Sequence, residues 1–97
     1  MSATRDLVEI RITVRGAVQG VGYRWFARET AIRLGVTGWV RNLPDGSVEL
    51  EARGPQAAID ALLATLHEGP PKASVREVRT VPRLSSDELH GRFTILR

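Results

Sequence analysis

Apolar and polar side chains alternate along the first part of the chain. Over residues 7–15, charged or polar residues separate the apolar ones, which are Val8, Ile10, Ile12 and Val14. Residues 47–52 repeat this period of two, and here Glu49 and Glu51 alternate with apolar residues. Because successive side chains of a strand point to opposite faces, each segment is predicted to be a β-strand with one buried face. On this pattern Glu49 and Glu51 lie on the exposed face and are expected to be solvated.

Two other segments follow the helical period. In residues 22–34 apolar or small side chains recur at spacings of three and four residues, which predicts one helix. Gly35 stands where a helix commonly ends in a left-handed conformation. A second helix is predicted to begin at Gly54-Pro55, with Pro55 as its first helical residue, and to end before the glycine and two prolines of residues 69–71.

The remaining segments complete a set of strands. Residues 36–42 (VTGWVRN) are β-branched and aromatic, and the turn LPDG joins them to residues 47–52 as a hairpin. Residues 73–81 fit neither period and are interpreted as a strand with a bulge. A polar loop over residues 83–91 precedes a last strand over residues 92–97, with Phe93 and Ile95 on one face.

The predicted order of elements is therefore β-α-β-β-α-β, with room for one further strand at the end. This is the order of the ferredoxin-like fold, an α+β sandwich in which two helices pack on one face of an antiparallel sheet. With 97 residues the chain is expected to form a single domain over residues 1–97, of which residues 1–6 are a polar, flexible start.

Composition narrows the chemistry. The chain has no cysteine and only two histidines, His67 and His90, which are not spaced as a metal pair and are expected to be solvated. Disulfides, cysteine-ligated metals and a cysteine nucleophile are excluded, and neither a metal nor another cofactor is expected. No signal peptide and no apolar run of membrane-spanning length is visible. We therefore expect a cytoplasmic protein that is monomeric and has no membrane partner.

Nucleic acid is not an expected partner either. The net charge is only +3, and the basic residues are scattered along the chain. Ferredoxin-like modules that bind RNA stack bases on aromatic residues of the first and third strands. Residues 7–15 and 47–52 contain no aromatic residue, although an RNA-binding module stays as an alternative.

Three glycines mark the connection between the first strand and the first helix, in the segment RGAVQGVGYRWF of residues 15–26. The first amides of a helix lack partners and carry partial positive charge, so phosphate binds readily there. A plain turn would also explain the glycines, and their spacing fits neither a P-loop nor a dinucleotide fingerprint. Arg24 in the first helical turn opposes the helix dipole unless an anion is bound, and its planar fork matches phosphate oxygens.

Two long motifs carry a resemblance to a known family. GAVQGVGYR at residues 16–24 and GWVRNLPDGSVELEARG at residues 38–54 resemble the two signatures of the acylphosphatases, and the closing FTILR is similar to the usual ending of that family. The resemblance spans residues 7–97. Acylphosphatases are small, metal-free enzymes that hydrolyse the carboxyl–phosphate bond of acyl phosphates. Tyr23 departs from the pattern, because phenylalanine is commoner there, and its buried hydroxyl would need a partner.

The resemblance implies a site. A cradle for the substrate phosphate is implied for Gln19, Gly20, Val21, Gly22, Tyr23 and Arg24, through backbone N–H groups and the Arg24 guanidinium. Asn42 is implied to orient the water that attacks phosphorus, so that Arg24 and Asn42 are the catalytic residues. The expected partners are a small-molecule acyl phosphate and inorganic phosphate, as product and competitive inhibitor.

Other interpretations of these residues stay open at this point. Asn42 could cap the hairpin turn, and from the residues alone that is the more common role. Trp25 and Trp39 are expected to be packing residues, although one of them could edge the site and touch the acyl group. The domain as a whole could be a non-catalytic, phosphate-binding relative of the acylphosphatases. The end of the chain at Arg97, with no further domain, favours a free-standing enzyme.

Overall fold

The computed structural model describes residues 7–83, 87–89 and 91–97, so the expectations for residues 1–6 and for His90 lie outside it. Within these ranges, the strands are β1 (Leu7–Ala17), β2 (Thr37–Asn42), β3 (Val48–Pro55), β4 (Ser74–Pro82) and β5 (Thr94–Ile95). The helices are α1 (Tyr23–Leu34) and α2 (Gln56–Glu68). In the part of the chain described, neither helix is long and apolar enough to cross a membrane.

The five strands form one sheet in the order β4-β1-β3-β2-β5. The first four strands pair antiparallel, as the ferredoxin-like prediction requires. The sheet is nevertheless mixed, because β5 pairs in parallel with β2. This parallel pairing corrects the expectation of a wholly antiparallel sheet. Since β4 and β5 lie at opposite edges, the segment between them carries the chain from one edge to the other.

The predicted bounds of the last strand and the predicted start of the second helix are wrong. The last strand is only Thr94–Ile95 rather than residues 92–97, since pairing with β2 is confined to Trp39↔Thr94 and Val40↔Ile95. The second helix begins at Gln56, and Pro55 is its N-cap with φ −60° and ψ 150°. The proline ring restricts φ but leaves ψ free to stay extended, so Pro55 remains paired with Leu7 at the end of β3.

Both helices pack on the same face of the sheet. The apolar side chains of β1 and β3, including Ile12, Val14 and Leu50, are fully buried against them. Tyr23, Ala27 and Ala31 contribute the buried stripe of α1, and Ile59, Leu62 and Leu66 that of α2. The predicted periods of two and 3.6 therefore identify the core, and the ferredoxin-like fold is confirmed.

The opposite face of the sheet is charged, and here the sequence interpretation is wrong. Glu49 and Glu51 are 7% and 1% exposed rather than solvated. Long arginine side chains cover them: Arg11 Nη2 and Arg83 Nε each donate to Glu51, at 2.8 and 2.7 Å. Arg41 Nε donates to Glu49 at 2.8 Å. A strict alternation shows which face a residue occupies but not what folds over that face.

Candidate active site

Glycines shape the connection from β1 to α1 for two different reasons. A Cβ at Gly16 would lie 2.1 Å from the Ser74 carbonyl oxygen, so this glycine permits close approach of β1 and β4. The β1–β4 register skips Arg76 at this point, which confirms the bulge predicted in β4. Gly20 and Gly22 instead have open space around them but φ values of 76° and 79°. That left-handed conformation favours glycine over residues that carry a Cβ.

The loop leads into a helix N-terminus whose positive partial charge no acidic side chain of the first turn neutralises. Gly22 is the N-cap of α1, no side chain caps this end, and the first turn contains no acidic residue. Phe26 N–H donates to the Gly22 carbonyl at 3.0 Å, which closes the first turn of the helix. The amides that precede Phe26 in the helix have no carbonyl a full turn earlier to receive them. Their partial positive charge faces the loop, where an anion would be stabilised.

Topology brings Asn42 to the same place. Strands β1 and β2 are each antiparallel to β3, so they run in the same direction and their C-terminal ends lie at the same end of the sheet. Val14 and Asn42 are both paired with Val48, which puts the end of β2 beside the start of the loop. Since Asn42 follows the buried Val40 by two positions, its side chain points to the face covered by helices.

Arg24 and Asn42 line one pocket of about 180 Å³. The loop and α1 contribute Val18, Gly20, Gly22, Tyr23, Arg24 and Trp25 to its wall. The strands β2 and β5 contribute Asn42 and Ile95, and Arg97 follows β5. The structure thus brings together the two residues implied as catalytic. No aspartate, glutamate or histidine belongs to this wall among the described residues.

Asn42 carries a buried amide oxygen without a hydrogen-bond partner among the described residues. The hairpin turn is held by other groups: Leu43 N–H donates to Ser47 O at 2.9 Å, and Ser47 N–H donates to the Asp45 carboxylate at 2.9 Å. The alternative role of Asn42 as a cap of that turn is therefore not the one observed. An amide oxygen with free lone pairs at the edge of a pocket is suited to accept a hydrogen bond from water.

Two residues of the implied phosphate cradle use their side chains for contacts within the protein. Gln19 Nε2 donates to the carbonyl oxygens of Leu43 and Ser47, at 2.8 and 2.9 Å, and so ties the loop to the β2–β3 turn. Val21 packs its side chain against the core. For these positions only the backbone remains for an anion. The bond from Gln19 could not be found from the sequence, since it joins segments that meet only in the folded sheet.

Tyr23 is buried in the core, and its hydroxyl has the partner that the sequence required. It donates to the Leu66 carbonyl oxygen at 2.7 Å, and the ring lies 5.8 Å from that of Phe26. Burial raises the pKa of the Tyr23 hydroxyl above its ordinary value. The side chain points away from the loop, so that Tyr23 offers only its backbone amide to an anion.

Sequence reasoning missed part of the pocket wall. Ile95 and Arg97 reach it because β5 lies next to β2, a neighbour relation that no local pattern indicates. Trp25 and Trp39 were both expected to be packing residues, with the alternative that one of them edges the site. Trp25 is the one that lines the pocket, and it is 61% exposed. Trp39 lies outside this pocket, and the Arg41 guanidinium stands 5.1 Å from the centre of its ring.

The fold and the pocket define the class: a small ferredoxin-like protein with a pocket at a helix N-terminus, lined by an arginine and by an asparagine whose amide oxygen has no partner among the described residues. Residues 10–95 match the family model described as Acylphosphatase. The chain belongs to the acylphosphatase family, as the two sequence motifs predicted.

Relatives of nearly the same length support this membership. The acylphosphatase of Halorhodospira halophila is 49% identical over 95 residues, covering 98% of this chain and 99% of that protein. That of Rubrobacter xylanophilus is 46% identical over 91 residues, covering 94% and 83% respectively. The structure of an acylphosphatase from Coxiella burnetii superposes with a TM-score of 0.89 at 38% identity and covers 99% of each chain.

Proposed function

We propose that the pocket at the N-terminus of α1 hydrolyses acyl phosphates, with Arg24 and the amides of residues 19–24 binding the phosphate and Asn42 orienting the attacking water. Membership of the acylphosphatase family makes the chain an acyl phosphate hydrolase. The assignment of these residues is supported most by one observation. Arg24, at an uncapped helix N-terminus, shares a pocket with the unpartnered amide oxygen of Asn42.

Phosphoryl transfer requires mainly positioning and charge stabilisation. The transferred group spreads negative charge over three equatorial oxygens as the bond to the leaving oxygen breaks. Backbone N–H groups and a guanidinium that are already in place stabilise this charge without reorganising during the reaction. Gln19 contributes indirectly, because its side chain attaches the loop to the β2–β3 turn.

The bonds and protons of the reaction balance without a general acid. The water oxygen bonds to phosphorus, and the bond from phosphorus to the acyl oxygen breaks with its electron pair leaving on the carboxylate. A carboxylic acid has a pKa of about 4, so the carboxylate departs unprotonated. Asn42 is neutral and holds the water without accepting its proton. The proton passes to an oxygen of the phosphoryl group, which becomes inorganic phosphate.

Specific observations argue against the two alternative functions, an RNA-binding module and a non-catalytic phosphate-binding module. An RNA-binding surface of this fold would stack bases on aromatic residues of β1 and β3, and neither Leu7–Ala17 nor Val48–Pro55 contains one. A non-catalytic module would have no use for a buried amide oxygen held unpartnered at the pocket. Competitive inhibition by inorganic phosphate, a monomeric state, a cytoplasmic location and the absence of nucleic-acid partners stay predictions from the sequence.

The first experiment measures hydrolysis of benzoyl phosphate in the presence of EDTA. We expect full activity in the wild type and a kcat/KM lowered by about 10²–10³-fold in Arg24→Ala, since preorganised charge stabilisation is removed. Arg28→Ala is the matched control, because Arg28 lies on the same helix, pairs with Glu29 at 2.9 Å and does not line the pocket. Wild-type activity in Arg24→Ala would overturn the assignment, and loss of wild-type activity in EDTA would overturn the metal-free reaction.

A further inference from the structure

Trp25 is placed unusually for a tryptophan. It is 61% exposed, the largest exposed fraction among the big hydrophobic side chains of the described residues. A single exposed apolar residue needs no explanation by itself. This one, however, lines the pocket together with the apolar side chains of Val18 and Ile95. The pocket therefore has an apolar part as well as the charged part around Arg24.

Helix geometry directs Trp25 towards that pocket. Tyr23 begins α1, so Arg24 and Trp25 are consecutive residues of its first turn. In an α-helix the Cα–Cβ bonds tilt towards the N-terminus, and side chains of the first turn project beyond the helix end. The guanidinium and the indole are thus neighbours at the same opening, one suited to a phosphate and the other to a flat apolar group.

The reaction itself places a second group near the phosphate. In phosphoryl transfer the attacking and leaving oxygens lie roughly in line through phosphorus. With the water held at Asn42 on β2, the acyl group leaves on the side away from that strand. Trp25 stands on the helix rather than on the strand, and it lines the same pocket of about 180 Å³ as Arg24 and Asn42.

We propose that Trp25 binds the acyl group of the substrate and gives the enzyme a preference for acyl phosphates with a planar aromatic or broad apolar acyl group. This inference rests on the proposed function, in which Arg24 binds the phosphate. The indole offers a face for offset stacking, an arrangement that contributes beyond the burial of area alone. Small acyl groups such as acetyl do not reach the ring and gain nothing from it.

The test compares two substrates in matched variants. We measure kcat/KM for benzoyl phosphate and for acetyl phosphate in the wild type, Trp25→Ala, Trp25→Phe and Trp39→Phe. Trp25→Ala should lower kcat/KM about tenfold for benzoyl phosphate and less than about twofold for acetyl phosphate. Trp25→Phe should restore most of the benzoyl preference, since it keeps an aromatic face. Trp39→Phe is the control, because Trp39 packs beside Arg41 outside the pocket.

A second readout separates binding of the acyl group from an effect on the phosphate cradle. The inhibition constant of inorganic phosphate should be the same in the wild type and in Trp25→Ala. Equal losses on both substrates, or no loss on either, would overturn the role of Trp25 while the enzyme remained an acyl phosphate hydrolase. A wild type inactive on both substrates would instead overturn the proposed function, and this inference with it.

Discussion

Asn42 has a buried polar atom whose lack of a hydrogen bond lowers the stability of the fold. Its amide oxygen is buried and has no partner among the described residues. An unsatisfied buried acceptor costs about 1–3 kcal/mol, so its retention fits a group that is completed by a water or a substrate. In the function proposed above, the attacking water would complete this hydrogen bond.

We expect Asn42→Ala to lower kcat for acyl phosphate hydrolysis by about 10²-fold or more, because the attacking water loses its orientation. The inhibition constant of inorganic phosphate should stay close to that of the wild type, since Arg24 and the loop amides are untouched. Steady-state kinetics with phosphate as inhibitor and a urea unfolding curve measure both. A parallel loss of phosphate affinity would place Asn42 in the phosphate cradle instead.

At the residue scale, the sequence predicted which residues lie near the pocket better than it predicted their hydrogen-bond partners. Arg24 and Asn42 were named because they stand inside long motifs, and their common pocket follows from strand direction. The bonds of Gln19 and the burial of Glu51 were not predicted. Each depends on a segment distant in sequence, Leu43 and Ser47 in one case and Arg83 in the other. A local pattern carries no information about such partners.

A hydrogen bond joins the two helices at their ends. Tyr23 is the first residue of α1, and it donates to Leu66 in the last turn of α2. Within α2 the carbonyl of Leu66 would receive the amide of residue 70, but Pro70 has no N–H to donate. The tyrosine hydroxyl therefore satisfies a carbonyl that the helix itself leaves open.

Tyr23→Phe should lower the free energy of unfolding by about 1 kcal/mol, because it removes a buried hydrogen bond and leaves this carbonyl unpaired. The kcat/KM should be unchanged, since only the backbone of Tyr23 faces the loop. Urea unfolding and benzoyl phosphate kinetics measure the two quantities. A variant that lost activity but kept its stability would contradict the purely structural role of the hydroxyl.

Alkaline pH offers an independent check of the same bond. Burial raises the pKa of Tyr23 above its ordinary value of about 10. The folded state then holds this proton more tightly than the unfolded state, so the stability is full below about pH 10 and falls as the pH rises further. The fall should be weaker in Tyr23→Phe. Equal pH profiles for both proteins would show that Tyr23 does not titrate on unfolding.

At the scale of elements, strand and helix types were predictable and their ends were not. The periods in residues 7–15 and 22–34 are long enough to identify β1 and α1. The two-residue β5 and the start of α2 are determined by pairing, since Thr94–Ile95 is a strand only where Trp39 and Val40 receive it. Pro55 likewise remains in the ladder because Leu7 lies opposite.

Across the whole molecule, a network of ion pairs links the residue that follows β4 to the inner strands β1 and β3. Arg83 follows β4 at one edge of the sheet, yet its guanidinium pairs with Glu51 on the central strand β3 and with Glu9 on β1. From there the chain continues to β5 at the other edge. Burial alone would raise the pKa of Glu51, but the hydrogen bonds from Arg83 and Arg11 together outweigh it and leave this pKa below its ordinary value.

Glu51→Gln should lower the free energy of unfolding by about 2 kcal/mol, because charge-assisted hydrogen bonds to two arginines are weakened at a buried site. Glu77→Gln is the control, since Glu77 also pairs with arginines but its side chain is 40% exposed, and a change below about 0.5 kcal/mol is expected there. Urea unfolding at neutral pH measures both. Equal losses of unfolding free energy in the two variants would show that the burial of Glu51 does not strengthen its ion pairs.

The lowered pKa of Glu51 also fixes the sign of an acid effect. Since the unfolded state binds this proton more readily, the contribution to stability is present above about pH 4.3 and is lost as the pH falls below that value. The free energy of unfolding should therefore decrease less steeply in acid for Glu51→Gln than for the wild type. A slope equal to that of the wild type would show that other carboxylates dominate.

The parallel pairing of β5 with β2 has a consequence for how the protein is made. The pocket takes its wall from Val18 near the beginning of the chain and from Ile95 near the end. On a ribosome the loop, α1 and Asn42 can all leave the exit tunnel before residues 94–95 do. A complete pocket must then await the emergence of residues 94–97, so the appearance of activity during synthesis would report pairing of β5 with β2 and not merely collapse of the preceding chain.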